Sequence, residues 1–213
     1  MLSNMADQTD LSNISNEARA QNLVRVVEQF ISTFNERAGE EAAAEVILDK
    51  KKLWGGHINQ EPERFIEDEL IEPTMSVLGY ECRFRPKGFD GLEGRIPDFT
   101  ALNLSSTNFG EVKVPGDIQN ARKESFEYQE MATDRPLVGF ATDGFTWILH
   151  TAVSEDDDPQ YRNHVTLHEL MRKIRIEQSQ SKAERRDRRH LRDLAIKFAS
   201  EFNIDAVETA NNC

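Results

Sequence analysis

The apolar residues of this 213-residue chain change period once, at Gly79, and that change restricts the fold more than any other feature. Before it, Leu23, Val24, Val27, Phe30, Ile31 and Phe34 recur at the spacing of one helix face. Gly39 is placed to end that helix. A second, Ala-rich helix is expected from Glu40 to Leu53, broken by Trp54-Gly55-Gly56. A third begins near Pro62, a residue suited to a first helical turn. It carries Phe65, Ile66, Leu70 and Ile71 on one face, is kinked or turned at Pro73, and stops at Leu78-Gly79.

Beyond Gly79 the period is two. Tyr80 to Arg85, Ile96 to Leu104 and Phe109 to Val114 read as strands, with Gly88, Gly91 and Gly94 in the first connection and a turn at Ser105 to Asn108. Ile118 to Met131 reads as a helix. Leu137 to Ala141 and Phe145 to Thr151 read as two more strands joined by Thr142-Asp143-Gly144, and Asp-Gly between apolar strands is a strong hairpin signal. An acidic loop, Glu155 to Pro159, leads into a mostly helical stretch, Val165 to Phe202. The expected fold class is α/β (α+β): a mixed central sheet of about five strands flanked by helices. Residues 1–16 form a flexible polar arm, 17–56 the N-terminal helices, 57–153 the core, and 154–213 the acidic loop and a C-terminal helical segment with a basic stretch.

Composition narrows the function classes. The longest apolar runs, such as Leu137 to Ala141, are too short to span a bilayer. Met1 to Asp7 has neither the basic nor the apolar stretch of a secretory leader. Two cysteines, Cys82 and Cys213, exclude a disulfide scaffold and a four-cysteine zinc site. The expectation is a cytoplasmic protein. A net charge of −12 argues against nucleic acid at first sight, because phosphates reward Lys and Arg. The charge is uneven, however. Residues 171–192 hold nine basic and three acidic side chains. The basic run Lys182 to Arg192 reads either as a solvated helix or as a contact for nucleic acid or another acidic partner. Acids spread over most segments, with Arg exceeding Lys, fit the salt-rich cytoplasm of a halophile.

The chemistry-bearing stretch is Arg95-Ile96-Pro97-Asp98 followed by Gly110-Glu111-Val112-Lys113. Glu111 and Lys113 lie two apart on one strand and share a face. If the strand begun at Asp98 pairs with it, an aspartate, a glutamate and a lysine converge. Phosphodiester hydrolysis needs an attacking water, a stabilised pentavalent phosphorus and a stabilised leaving oxygen. Hard oxygen ligands such as Asp98 and Glu111 suit Mg²⁺, which keeps several waters of its own. A bound metal acidifies water and neutralises developing charge. Lys113 would orient or deprotonate the water or stabilise the phosphorane, and base work requires a depressed pKa. The plainer alternative is a hairpin carrying a surface ion pair.

Pro97-Asp98, twelve residues, then Glu111-Val112-Lys113 resembles the signature of the PD-(D/E)xK nuclease superfamily. The surroundings resemble the N-terminal nuclease domain of type I restriction enzyme subunits. A glutamate-bearing helix, Glu63-Arg64-Phe65-Ile66 and Leu70-Ile71-Glu72-Pro73, runs into Leu78-Gly79-Tyr80, and Thr142-Asp143-Gly144-Phe145-Thr146-Trp147 matches a Thr-Asn/Asp-Gly turn followed by Trp. The resemblance covers Glu63 to Thr151. The Gln-x-x-x-Tyr motif of many such domains is not matched, since the chain has Tyr128-Gln129. The resemblance implies a restriction-endonuclease-like core and a Mg²⁺-dependent endonuclease acting on DNA, with Mn²⁺ as a substitute, in restriction or another defence against foreign DNA. It implies Asp98 and Glu111 as metal ligands, Lys113 as the residue serving the water, and a helix glutamate, Glu63 or Glu67, beside the metal. It also implies a homodimer or a subunit of a larger restriction or defence complex. A nuclease-fold subunit without catalysis, binding nucleic acid or a partner protein, is the other reading.

The remaining motifs carry less. No Gly-Lys-Ser/Thr follows Gly88, Gly91 and Gly94, so they read as a flexible loop, from which Arg83, Arg85, Lys87 and Arg95 could approach substrate. His164 and His168 lack a His-Glu-x-x-His context and read as helix entry and packing.

Overall fold

The computed structural model describes residues 14–86, 92, 94–132, 135–152, 160–179 and 188–211. Most of the N-terminal arm, Gly88, Gly91, Lys87, the acidic loop and the first half of the basic run lie outside the described residues.

Helix α1 (Asn16–Ala38) starts where the Ser15 side chain accepts from the Ala18 N–H, and ends at Gly39, whose N–H bonds Asn35. It buries Leu23, Val27, Phe30, Ile31 and Phe34. Phe30, Phe34 and Phe65 form a ring trio with centroids 5.6–5.9 Å apart, fixing α1 on α4 (Pro62–Ile66). Between them, α2 (Glu40–Asp49) stops before Leu53, because Lys50 turns into the left-handed region at φ 56°. Gly55 and Gly56, read as a breaker, instead open a single helical turn, α3 (Gly55–Ile58).

Pro73 does not end the third helix. It has no N–H, and its ring crowds the carbonyl four residues back. The chain accommodates this by widening into a π-turn over Glu67–Ile71, where the Glu72 N–H reaches Glu67, and resumes as α5 (Glu72–Leu78). Such widened turns favour functional sites, and this one begins at a candidate glutamate.

The sheet has six strands in sequence order, not about five: β1 (Cys82–Phe84), β2 (Phe99–Ala101), β3 (Thr107–Val112), β4 (Leu137–Thr142), β5 (Thr146–Ala152) and β6 (Gln160–Thr166). All neighbours are antiparallel except β3 and β4, which are parallel and joined through α6 (Ile118–Met131). The architecture is therefore mixed α+β, with helices on both faces. The missed strand, β6, begins ahead of the stretch read as helix. From residue 162 it alternates exposed and inward positions, but only Val165 on its inward side is apolar; Asn163 there donates to the Glu201 carbonyl. Charged, polar residues are what an edge strand carries. At the other end β3 starts at Thr107, inside the expected turn, since the Asn108 side chain bonds both the N–H and the carbonyl of Ala101 on β2.

One face of the sheet carries Phe140, Trp147, Leu149 and Val165 into the main core, where α8 (Arg189–Phe202) covers Trp147 and α1 packs on α8. The other packs Phe109, Leu137, Ala141 and Ile148 under α6. Helices α7 (His168–Ser179) and α9 (Ile204–Asn211) complete the described chain. The core runs without interruption from Ala20 through the sheet to Val207. No described helix is long and apolar enough to cross a membrane.

The expected hairpin between β4 and β5 is present. The buried Asp143 accepts from Phe145 and Thr146 through Oδ1 and from Gly116 through Oδ2, at 2.7–3.1 Å, and Gly144 takes φ 80°, which a side chain would resist. His164 lies on β6, not on a helix. His168 opens α7, stacks on Phe145 and bonds the Ile47 carbonyl, as a packing residue does.

Candidate active site

Asp98, Glu111 and Lys113 meet where β2 and β3 pair. The pairing is fixed by a glycine: a side chain on Gly110 would lie 2.1 Å from the Phe99 ring, so only glycine lets Phe99 cross beneath β3. That crossing sets Asp98 at the mouth of β2. Its N–H bonds Gly110, its carbonyl accepts from Arg85, and its Oδ2 accepts from the Val112 N–H at 2.7 Å. The aspartate is thus tied at both backbone and side chain to the strand that bears Glu111.

Glu111 points to the α6 side of the sheet and is buried, with 3% of its surface exposed. The Lys113 ammonium bonds its Oε1, and reaches Glu124 Oε2 on α6 at 3.0 Å. Glu111 Oε2 is buried and meets no hydrogen-bond donor among the described residues. Burial, then the charge of Asp98, pushes the Glu111 carboxyl up to about 9, against the pull of Lys113. Asp98 is also raised, chiefly by burial, although the Val112 N–H opposes this. Burial lowers the Lys113 ammonium's affinity for its proton, but Glu111 and Glu124 outweigh it, so its pKa stands above the ordinary value. This is opposite to the depression that base work requires. Lys113 is a held cation, suited to orienting a water or meeting an anion.

Helix α4 and its π-turn separate the two glutamates that sequence left open. Glu67 is buried and engaged by Arg85 at 2.9 Å and Arg64 at 3.4 Å. Burial raises its pKa and Arg85 lowers it. Burial raises the Glu63 pKa, which Lys113 then lowers and Asp98 raises; Asp98 raises Glu67 as well, so both glutamates lie within electrostatic range of the cluster. Arg85 and Arg95, read as substrate-facing, are engaged by acids, Arg95 by Glu127 at 2.6 Å. The described part of the basic run is likewise engaged. Arg188 pairs with Glu28 and Glu177, and Arg192 lies 3.8 Å from Glu17.

Sequence reasoning missed Glu124. Its burial is partial; the hydrogen bonds to Glu111 and Lys113 overcome the burial cost and lower its pKa. The signal was its place four residues before Tyr128, one helical turn on the same face. Tyr128 is buried edge-on against Phe109, and its hydroxyl pKa is raised by burial and by Glu111.

The donor set suits a hard cation. Asp98 and Glu111 offer oxygens, one of them buried and without a donor among the described residues, and Mg²⁺ bound by one or two carboxylates keeps its remaining waters. No three His, Cys, Asp or Glu side chains among the described residues form a ready-made ligand group, so Glu63 does not complete one as the chain stands. Among known proteins, the chain matches no family model, no curated protein and no solved structure.

Proposed function

We propose that this chain is a metal-dependent nuclease of the PD-(D/E)xK type, hydrolysing DNA phosphodiester bonds. The observation that carries the reading is the buried Glu111 carboxyl, with an oxygen that meets no hydrogen-bond partner among the described residues, held beside Asp98 and Lys113 on paired strands. An ordinary hairpin ion pair would not bury an acid at this cost. The element order from α4 to β5 agrees with it: helix, antiparallel three-stranded meander, helix, two strands. That is the order expected of a restriction-endonuclease-like core. The motif read as unmatched has its spacing filled on α6 by Glu124-x-x-x-Tyr128, with a carboxylate where that motif has an amide.

Asp98 and Glu111 would hold Mg²⁺ or Mn²⁺, with Glu63 beside it. When bound, the metal supplies an acidified water and neutralises charge on the phosphate. Lys113 would then exchange its bond to Glu111 for the attacking water or a phosphate oxygen, keeping Glu124 as its counterion. Val112 and Gly110 hold Asp98 in place throughout. Restriction or another defence against foreign DNA is the role proposed, with a homodimer or a larger complex as the working assembly.

The test is nicking of supercoiled plasmid with Mg²⁺ or Mn²⁺, across a range of salt, by the wild-type chain and Lys113→Ala. The reading expects metal-dependent cleavage that the variant loses. Cleavage retained by the variant, or none by the wild type alongside unchanged DNA binding, would refute it. The second result would favour a non-catalytic nucleic-acid-binding subunit.

A further inference from the structure

The segment that links α2 to α4 runs beside the acidic cluster. At its start, a side chain on Gly116, three residues past Lys113, would lie 3.8 Å from the Lys50 carbonyl. At its end, a side chain on Gly55 would lie 2.9 Å from the Gln60 carbonyl and 3.5 Å from the Pro62 ring. Pro62 opens α4, whose Glu63 is within electrostatic range of Lys113 and Asp98. The segment therefore passes between the chain leaving Lys113 and the helix that bears Glu63.

Its backbone is anchored, yet one large side chain is left out. Leu53 and Ile58 are buried, and the Trp54 carbonyl accepts from the His57 N–H at 3.0 Å. The Trp54 side chain is nevertheless 60% exposed, whereas the other tryptophan, Trp147, is buried. Tryptophan is a side chain that folding normally buries over most of its surface. Lys52 holds its ammonium 5.5 Å from the centre of the Trp54 ring, while Lys51 is committed to Glu45 at 2.6 Å. An exposed ring with a cation beside it matches one nucleotide of a strand: the ring stacks on the base, and the ammonium meets the phosphate. A base inside a continuous duplex is already stacked, and extracting it costs a few kcal/mol.

We propose that Trp54 and Lys52 form a stacking site for an unpaired nucleotide of a DNA strand lying along the acidic cluster, so that the chain favours single-stranded or unpaired DNA over continuous duplex. The proposal rests on reading that cluster as a DNA site, but not on its catalytic competence.

The test uses the full chain with a chelator present, so that cleavage plays no part. A short oligothymidylate strand and a blunt hairpin duplex are titrated while tryptophan emission is followed, and anisotropy of dye-labelled DNA gives affinity. Stacking on Trp54 quenches its emission, which the buried Trp147 does not share. The expected result is saturable quenching by the single strand, which binds more tightly than the duplex. Trp54→Phe keeps a stacking ring and most of the affinity but loses the quenching. Trp54→Ala loses affinity for the single strand about 5- to 100-fold. Lys52→Gln lowers the slope of log affinity against log salt by about 0.7. Absence of quenching, affinity unchanged in Trp54→Ala, or duplex bound as tightly as single strand overturns the proposal, whether or not the chain nicks plasmid. Quenching by a chain that nicks nothing supports this site while refuting catalysis.

Discussion

Replacing Glu111 by glutamine should stabilise the metal-free protein, and by more as pH rises. In the folded chain this carboxyl is pushed from an ordinary 4.5 up to about 9 by burial and by Asp98. An acid whose folded pKa exceeds its unfolded one contributes its full stability below the unfolded value and loses it as pH rises towards the folded value. The window here runs from about 4.5 to about 9. Each pH unit within it costs at most about 1.4 kcal/mol, so the ceiling at pH 7 is about 3 kcal/mol. Glutamine stays neutral beside Asp98 at every pH, while Lys113 retains Glu124 as a partner. A gain of about 1–3 kcal/mol at pH 7, vanishing near pH 4, is expected. Urea unfolding of both proteins with a chelator, from pH 4 to 9, measures it. A difference that is flat with pH, or a variant less stable than wild type at pH 7, would refute the reasoning: Glu111 would then be ionised in the ordinary range, its bond to Lys113 outweighing burial.

Three further outcomes follow from the packing and charge around the site. Gly110→Ala drives a methyl into the Phe99 ring 2.1 Å away and should cost about 1–3 kcal/mol, with Phe99→Leu in the same chain recovering part of the loss in melting temperature. Asp143→Ala leaves the N–H groups of Gly116, Phe145 and Thr146 without their acceptor and should cost about 2–3 kcal/mol, whereas Asp143→Asn, which keeps one acceptor oxygen, should cost less in the same melt. Lys113→Met removes the cation shared by Glu111 and Glu124 and should cost about 2–4 kcal/mol at pH 8. Glu124, with its lowered folded pKa, contributes stability above its unfolded value that is lost as pH falls. The gap between Lys113→Met and wild type should therefore shrink towards pH 4, and a gap constant in pH would show that methionine merely packs badly.

The parts of this fold that the sequence discloses are those where one local rule acts unopposed. Helix α1 carries its apolar stripe, its Ser15 cap and its Gly39 stop within one segment. Asp143-Gly144 sets its turn with its own side chain and its own φ. The misread parts are those where a distant contact decides. Strand β6 is held by pairing to β5, so a polar run becomes a strand with Val165 as the one apolar residue on its inward side from residue 162 on. At Pro73 the kink or turn read from the sequence takes the form of a widened turn ahead of it, and the helix stops at Leu78-Gly79 as read. The same divide runs through the site. Spacing brings Glu111 and Lys113 together, since two residues along a strand always share a face. It does not disclose Glu124, which a different element delivers to Lys113, nor that Arg85 and Arg64 engage Glu67.

These contacts also explain why the cluster persists despite its cost. Four acids, Asp98, Glu111, Glu63 and Glu124, surround one lysine among the described residues, and burial raises three of them. Nothing in the local sequence would hold such a group together. The surrounding packing does: Phe99 beneath Gly110 fixes the strand register, the Val112 N–H fixes Asp98, and Phe109 against Tyr128 fixes α6 over the sheet. Strain of this kind is stable only where neighbours over-determine it. It also sets the sign of the response to a bound cation. A divalent ion at Asp98 and Glu111 would displace protons from carboxyls already raised, so its affinity should climb steeply with pH through the window that destabilises the metal-free chain. Calorimetry with Mn²⁺ at pH 6 and pH 8 reads that slope, and equal affinity at the two values would separate metal binding from these two carboxyls.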